Sequence, residues 1–167
     1  MKHFYQDIKG MMDYEDLYSD MVRKFPDGST FVELGTWHGR SAAYLCTEIV
    51  NAEKDIKVHT VDWFLKCDDR AFKLMDKFDF LQVHKNHTAH QSQEFYPQSI
   101  DFVFIDADHS YDGVQADINA WLPLVKKGGV LAGHDFENER YPELKWAVLD
   151  LLPEAYKVSK MCWRYDV

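Results

Sequence analysis

Acids and imidazoles stand at the ends of apolar runs at four places in this chain. Asp106, Asp108 and His109 come directly after the run Ile100-Asp101-Phe102-Val103-Phe104-Ile105, and His134 and Asp135 follow Val130-Leu131-Ala132-Gly133. Glu33 closes a third run that begins at Thr30, and Asp62 follows a fourth, Val58-His59-Thr60-Val61. Ionisable groups beside buried strands are costly unless they are paired, liganded or solvated in a cleft. Carboxylates so placed can hold ribose hydroxyls or a cation. An imidazole, with a reference pKa of about 6.5, can move protons near neutral pH.

The run ending in Glu33 continues as Leu34-Gly35-Thr36-Trp37-His38-Gly39-Arg40-Ser41. A strand, a glycine loop, a helix, a second strand and a terminal acid make a nucleoside-binding unit. Pyrophosphate cofactors need glycine at the second and third fingerprint positions, where this chain has Trp37 and Arg40. A nicotinamide dinucleotide therefore suits it poorly. S-adenosylmethionine has no phosphate and carries a sulfonium charge, so it tolerates a bulkier loop and favours a nearby acid such as Glu33. Asp62 is placed to accept both ribose hydroxyls, and Trp63 to lie against adenine. Thr36 and Ser41, at the loop and the helix start, suit the methionine carboxylate.

On these residues the sequence resembles the class I S-adenosylmethionine-dependent methyltransferases, whose first motif is an acid-x-Gly-x-x-x-Gly loop. Ile105-Asp106-Ala107-Asp108-His109-Ser110-Tyr111 and the later Gly128-Gly129…Gly133-His134-Asp135 resemble a subfamily related to sugar and macrolide O-methyltransferases. The likeness runs from about Thr30 to Phe136. It implies a cofactor loop of Glu33, Gly35, Thr36, Trp37 and Gly39, with Asp62 holding the ribose. It also implies Asp106 under the sulfonium and His109 facing the acceptor as general base. In related metal-dependent enzymes, acids at the last two strand ends hold magnesium. Asp106 and Asp135 occupy those positions, with His134 where a further acid or amide often stands, so Mg2+ is left as an option. The reaction implied is O-methylation of a small molecule. The alternatives are a non-catalytic S-adenosylmethionine-binding module and a nicotinamide-linked oxidoreductase or epimerase. The last would use a Tyr-x-x-x-Lys pair, and Tyr5/Lys9 and Tyr141/Lys145 have that spacing.

The elements that must position these residues follow from periodicity and breakers. Apolar spacing predicts helices over 14–25 (covering one sheet edge), 40–51, 66–81, 112–126 and 142–152. Strands are expected over 30–34, 57–61, 100–106 and 130–132, with short antiparallel closing strands over 156–159 and 161–165. Residues 83–90 show no clean apolar strand. The expected fold is α/β: a Rossmann-like, doubly wound, mostly parallel sheet with helices on both faces and an antiparallel C-terminal strand. One domain, 1–167, is expected. Ligands in such sheets bind beyond the carboxyl ends of the strands at the switch point.

Composition sets the outer bounds. The 167 residues are 46% apolar and 15% aromatic, enough for one core, and 28 acids against 19 Lys and Arg give a formal charge of −9. That balance argues against a nucleic-acid partner, which needs a basic footprint. No segment is long and apolar enough for a membrane span, and residues 1–7 contain no apolar run of signal-peptide type. Cys46, Cys67 and Cys162 lack metal spacing and suit reduced, buried thiols. A cytoplasmic enzyme is the expectation. A homodimer completing the pocket is an option that no sequence feature demands. His84, His87 and His90 have suggestive spacing but no Cys or acid framework for a metal.

Overall fold

The fold is given by a computed structural model, which describes residues 1–63 and 69–167. Seven strands form one sheet: β1 (Ser29–Leu34), β2 (Ile56–Asp62), β3 (Leu81–Lys85), β4 (Ile100–Ile105), β5 (Val125–Gly133), β6 (Tyr156–Ser159) and β7 (Cys162–Asp166). Their spatial order is β3-β2-β1-β4-β5-β7-β6. β1 pairs in parallel with both β2 and β4, and β3 and β5 extend the parallel part outward. β7 returns antiparallel to β5, with β6 antiparallel to β7. The chain therefore reverses its winding between β1 and β4, which opens a crevice at their carboxyl ends.

The strand runs are apolar because both faces are covered. In β4, Phe102 and Phe104 point into one cluster with Phe31, Val58 and Val130. Val103 and Ile105 point into the other, with Val32, Val61 and Leu131. Helices α1 (Glu15–Lys24) and α2 (Arg40–Asn51) cover the first face; α4 (Tyr111–Trp121) and α5 (Pro142–Leu151) cover the second. A single turn of helix, α3 (Thr88–Gln91), lies beside α4. Asp101, the one acid inside β4, accepts from Thr30 N–H and from the Lys126 ammonium, both at 2.8 Å, at the strand end remote from the crevice.

Several expected elements need correction. α1 lies over the middle of the sheet, not its edge, with the Tyr18 ring edge-on to Phe104 at 5.0 Å and to Phe102 at 6.0 Å. A third strand does exist, at Leu81–Lys85; it is an edge strand in which only Leu81 and Val83 are buried. The helix expected over 66–81 begins partly outside the described residues. Within them it is a six-residue 3-10 segment, Asp69–Leu74, whose Ala71 and Leu74 still enter the core. The helix expected to reach 126 stops at Trp121. Pro123 follows in a 3-10 turn and Val125 already belongs to β5. Proline has no N–H to continue the helical ladder. Gly128-Gly129 then lies within β5, where the register with β4 shifts. Cys46 and Cys162 are buried free thiols, and Cys67 lies outside the described residues.

Candidate active site

The loop from β1 to α2 is built around close backbone approach. Gly35 has φ +98°, and a Cβ there would lie 1.9 Å from the carbonyl oxygen of Asp106. Its N–H donates to Val61 O at 2.9 Å, and Asp106 N–H donates to Leu34 O at 2.8 Å. β1, β2 and β4 are thus clamped together where the crevice opens. Gly39, φ +84°, caps α2, with its N–H donating to Thr36 O. Between the glycines, Trp37 adopts φ +46° and leaves its indole 42% exposed. The Arg40 guanidinium donates to Ile8 O at 3.0 Å, which lays the N-terminal segment against the loop.

Three residues expected to contact a ligand from this loop turn inward instead. Glu33 is fully buried, accepting from the Tyr18 hydroxyl at 2.7 Å and the Thr60 hydroxyl at 2.9 Å. Burial pushes its carboxyl up to about 7, against the lowering effect of hydrogen bonds from Ser41, Tyr18 and Thr60. The Thr36 hydroxyl is shared with Thr60, and Ser41 is buried beside Glu33 and Tyr14. These side chains brace the loop from beneath, because β1 is central and everything under its carboxyl end is core.

This bracing has a pH signature. An acid whose folded pKa lies above its unfolded value, 4.5 here, destabilises the fold progressively as pH rises from about 4.5 to about 7. For Glu33 the expected total is roughly 3 kcal/mol. Glu33→Gln is therefore expected to flatten the fall in stability across that window, gaining on the parent chain between pH 5 and pH 7.5. Urea unfolding at the two pH values checks it, and parallel curves for the two proteins would refute it.

At the end of β2, Asp62 Oδ2 accepts from Trp37 N–H at 2.7 Å. An ionised carboxylate can take several hydrogen bonds, so fixing the loop does not exhaust it. Trp63 is 55% exposed and meets the His87 ring edge-on at 5.5 Å, with His90 tilted against His87 beyond it at 5.0 Å. His84 turns the other way, its Nε2 3.0 Å from His59 Nδ1 and its Nδ1 facing Gln91. Burial lowers both imidazoles, His59 to about 4. The three spaced histidines therefore do not converge on one point.

The carboxyl ends of β4 and β5 hold the densest chemistry. His109 Nε2 lies 2.7 Å from Asp135 Oδ2 and 3.4 Å from Asp106 Oδ1, and its ring stacks on Tyr141 at 4.2 Å. Asp106 also accepts from the Tyr14 hydroxyl at 3.2 Å, and Asp135 from Asn138 Nδ2 at 2.6 Å. Asp135 has φ +59°, a left-handed conformation uncommon for a residue with a side chain. His134 Nε2 is 2.8 Å from Asp13 Oδ1, and its Nδ1 is 3.4 Å from Asp135 Oδ1. Among the described residues, Asp106, His134 and Asp135 form the group that offers one ligand atom each, all within 4.8 Å of one another.

Charge pairing sets the protonation here. Burial alone would lower His109, yet Asp106 and Asp135 raise it to about 9. Burial likewise opposes, and Asp135, Asp106 and Asp13 overcome, a rise of His134 to about 9. Burial would raise the Asp135 carboxyl, but hydrogen bonds from His109, His134 and Asn138 hold it well below the usual carboxylate range. The expectation of an imidazole near its reference value fails at His109. In this arrangement it is a cation between two carboxylates, and work as a base requires that pairing to open.

No sequence motif marks Asp13, Tyr14 or Asn138 for this site, and Tyr141 enters it by stacking on His109. Asp13 and Tyr14 precede α1 and carry no motif; only the fold brings them 92 and 121 positions along the chain to Asp106 and His134. The Tyr-x-x-x-Lys spacings have separate partners. Tyr5 donates to Glu15, Lys145 binds Glu137, and Tyr141 stacks on His109.

Comparison with known proteins adds three findings. The sequence model of a methyltransferase-domain family matches residues 32–136, more than half of the chain. Rhamnosyl O-methyltransferase of Mycobacterium tuberculosis is 30% identical over 148 residues, 84% of this chain and 57% of the relative, so the chain spans little more than half of that protein. Among solved structures, CalS11, a TDP-rhamnose 3'-O-methyltransferase of calicheamicin biosynthesis, superposes with a TM-score of 0.74 at 16% identity, covering 91% of this chain and 76% of the other. The MycE methyltransferase, solved with Mg, S-adenosylhomocysteine and mycinamycin VI, gives 0.68 at 13% identity, covering 95% and 50%. At such identities the superpositions speak to the fold.

Proposed function

The chain belongs to the methyltransferase-domain family, and on that premise we propose that it transfers the methyl group of S-adenosylmethionine to a hydroxyl of a small molecule, with a sugar hydroxyl as the first candidate. One observation carries the reading. The Gly35–Gly39 loop, Asp62, the Asp106/His109 pair and the His134/Asp135 pair are far apart in sequence, yet all stand at the carboxyl ends of β1, β2, β4 and β5, flanking one switch point. The family's match, residues 32–136, spans the same segments.

The assigned roles follow from what each residue can do there. Asp62 and Trp63 hold the nucleoside end, by hydrogen bonding to ribose and by stacking. The Gly35 turn keeps the rim narrow, and Trp37 walls it from solvent. Asp106 and His109 face the reacting atoms, with Tyr14 and Asp135 fixing their orientation. The methyl is already activated in the cofactor, so positioning and exclusion of water do most of the work. A divalent ion fits the donor set of Asp106, His134 and Asp135. When bound, it would supply a Lewis-acid charge that lowers the acceptor hydroxyl's pKa.

Calorimetric titration with S-adenosylmethionine, S-adenosylhomocysteine and NAD tests this reading. Micromolar binding of the two sulfur compounds and none of NAD is the expected result. Asp62→Ala should weaken binding by about tenfold or more, the loss of a charge-assisted hydrogen bond worth about 1.5–3 kcal/mol. Failure of both sulfur compounds to bind would sink the methyltransferase reading.

A further inference from the structure

The donor set at β4 and β5 is not the all-oxygen set that suits magnesium. We propose that this site selects a late first-row transition ion, of the Fe2+, Ni2+ or Zn2+ class, over Mg2+, and that Asp13 is the positioning residue that makes His134 a ligand. The proposal deepens the reading of the same site; it rests on that reading for the placement of the donors and not for the identity of the methyl acceptor.

An ionised carboxylate only accepts hydrogen bonds, so the 2.8 Å contact between Asp13 Oδ1 and His134 Nε2 places a proton on Nε2. The other ring nitrogen, Nδ1, then points at Asp135 Oδ1 from 3.4 Å. A proton on Nδ1 bridges that contact, in keeping with the raised pKa of His134, and a metal ion would take that proton's place. A metal-ligating histidine characteristically donates its far N–H to a carboxylate, which fixes the tautomer and the ring orientation. Asp13, His134 and Asp135 reproduce that arrangement in a site that also contains Asp106.

The other neighbours agree. The Tyr14 hydroxyl binds Asp106 and its ring packs on His134 at 5.0 Å, while Asn138 binds Asp135. Each carboxylate is therefore held from outside by a neutral donor. His109 lies outside this donor set, paired as a cation with the same two carboxylates at 2.7 and 3.4 Å. Magnesium is bound through oxygen and keeps much of its water, whereas imidazole suits zinc, iron, nickel and copper. Two carboxylates with the His134 imidazole favour the latter group.

The test uses the full chain, stripped with a chelator and titrated with Co2+, whose visible absorption reports coordination by nitrogen and oxygen. Expected are one equivalent bound, displacement by Zn2+, and no displacement by millimolar Mg2+. Asp13→Asn, at a partly exposed position, should weaken Co2+ by about 10–100-fold, the usual cost of losing an outer carboxylate. His134→Asp should abolish the nitrogen-type spectrum and bring Mg2+ binding up to compete. Displacement of Co2+ by Mg2+ as readily as by Zn2+ would overturn the proposal, as would an affinity unchanged in Asp13→Asn. S-adenosylhomocysteine binding is followed in parallel. Cofactor bound with no ion taken up defeats the metal inference alone; ion bound with no cofactor defeats only the methyltransferase reading.

Discussion

Gly35→Ala is expected to lower stability by on the order of 4 kcal/mol, the sum of two costs. A side chain at a left-handed φ costs about 1–2 kcal/mol, and forcing a methyl into a packed site typically costs about 1–3 kcal/mol more. The second cost should lie at the upper end, because the Cβ would meet the Asp106 carbonyl oxygen at 1.9 Å, and backbone on a central strand cannot swing aside as a side chain would. At about 2–4 °C per kcal/mol for a chain of this size, the melting temperature should fall by roughly 10 °C. Gly28→Ala is the control. Its φ is also positive, +81°, but nothing lies within 4 Å of the new methyl. That variant should lose only about 1–2 kcal/mol. Equal losses at the two positions would mean that β1 and β4 are not clamped at the switch point.

The second large effect is expected at Asp135→Asn. This carboxylate is the hub of the site, touching His109 at 2.7 Å, Asn138 at 2.6 Å and His134 at 3.4 Å. The amide keeps the shape but loses the charge, leaving two imidazoles with Asp106 and Asp13 as their remaining acidic partners. Preorganised charge at a reacting centre is commonly worth about a hundredfold or more in rate. Turnover should fall by at least that much, while S-adenosylhomocysteine binding, which the proposed function assigns to the β1 and β2 side of the crevice, stays within a few-fold. Linkage adds a pH effect. The Asp135 carboxyl is held below its usual value of 3.8, so its contribution to stability is present above that pH and is lost as the medium is acidified further. In the variant that acid-limb loss should shrink. Undiminished turnover in Asp135→Asn would remove the β5 end from the active site.

Much of the fold could be read from local patterns. β4 announces itself because six successive residues, all buried, fill both faces of a central parallel strand. α2 begins where expected, since Gly39 alone fits its left-handed cap. β3 was illegible for the opposite reason: an edge strand with two buried positions has almost no periodicity to detect. The helix expected to run to 126 was overdrawn because Val125 keeps the helical spacing although it belongs to β5. Pro123 was the available warning.

Apart from β3 and the segment before it, the sequence by itself determined the order of strands and helices, which residues end the strands, and hence which side chains must share one rim. Those properties are local: alternation, glycine at left-handed turns, and acids placed after apolar runs. Only the tertiary structure decided which way those side chains face. It turned Glu33, Thr36 and Ser41 into the core as braces, because the centre of a doubly covered sheet leaves no solvent beneath the loop. It also brought Asp13 and Tyr14 from the N-terminal segment to the acids of β4 and β5, by seating α1 over the middle of the sheet. A contact between residues 13 and 134 depends on how two layers pack, and nothing within a few residues of either one encodes it.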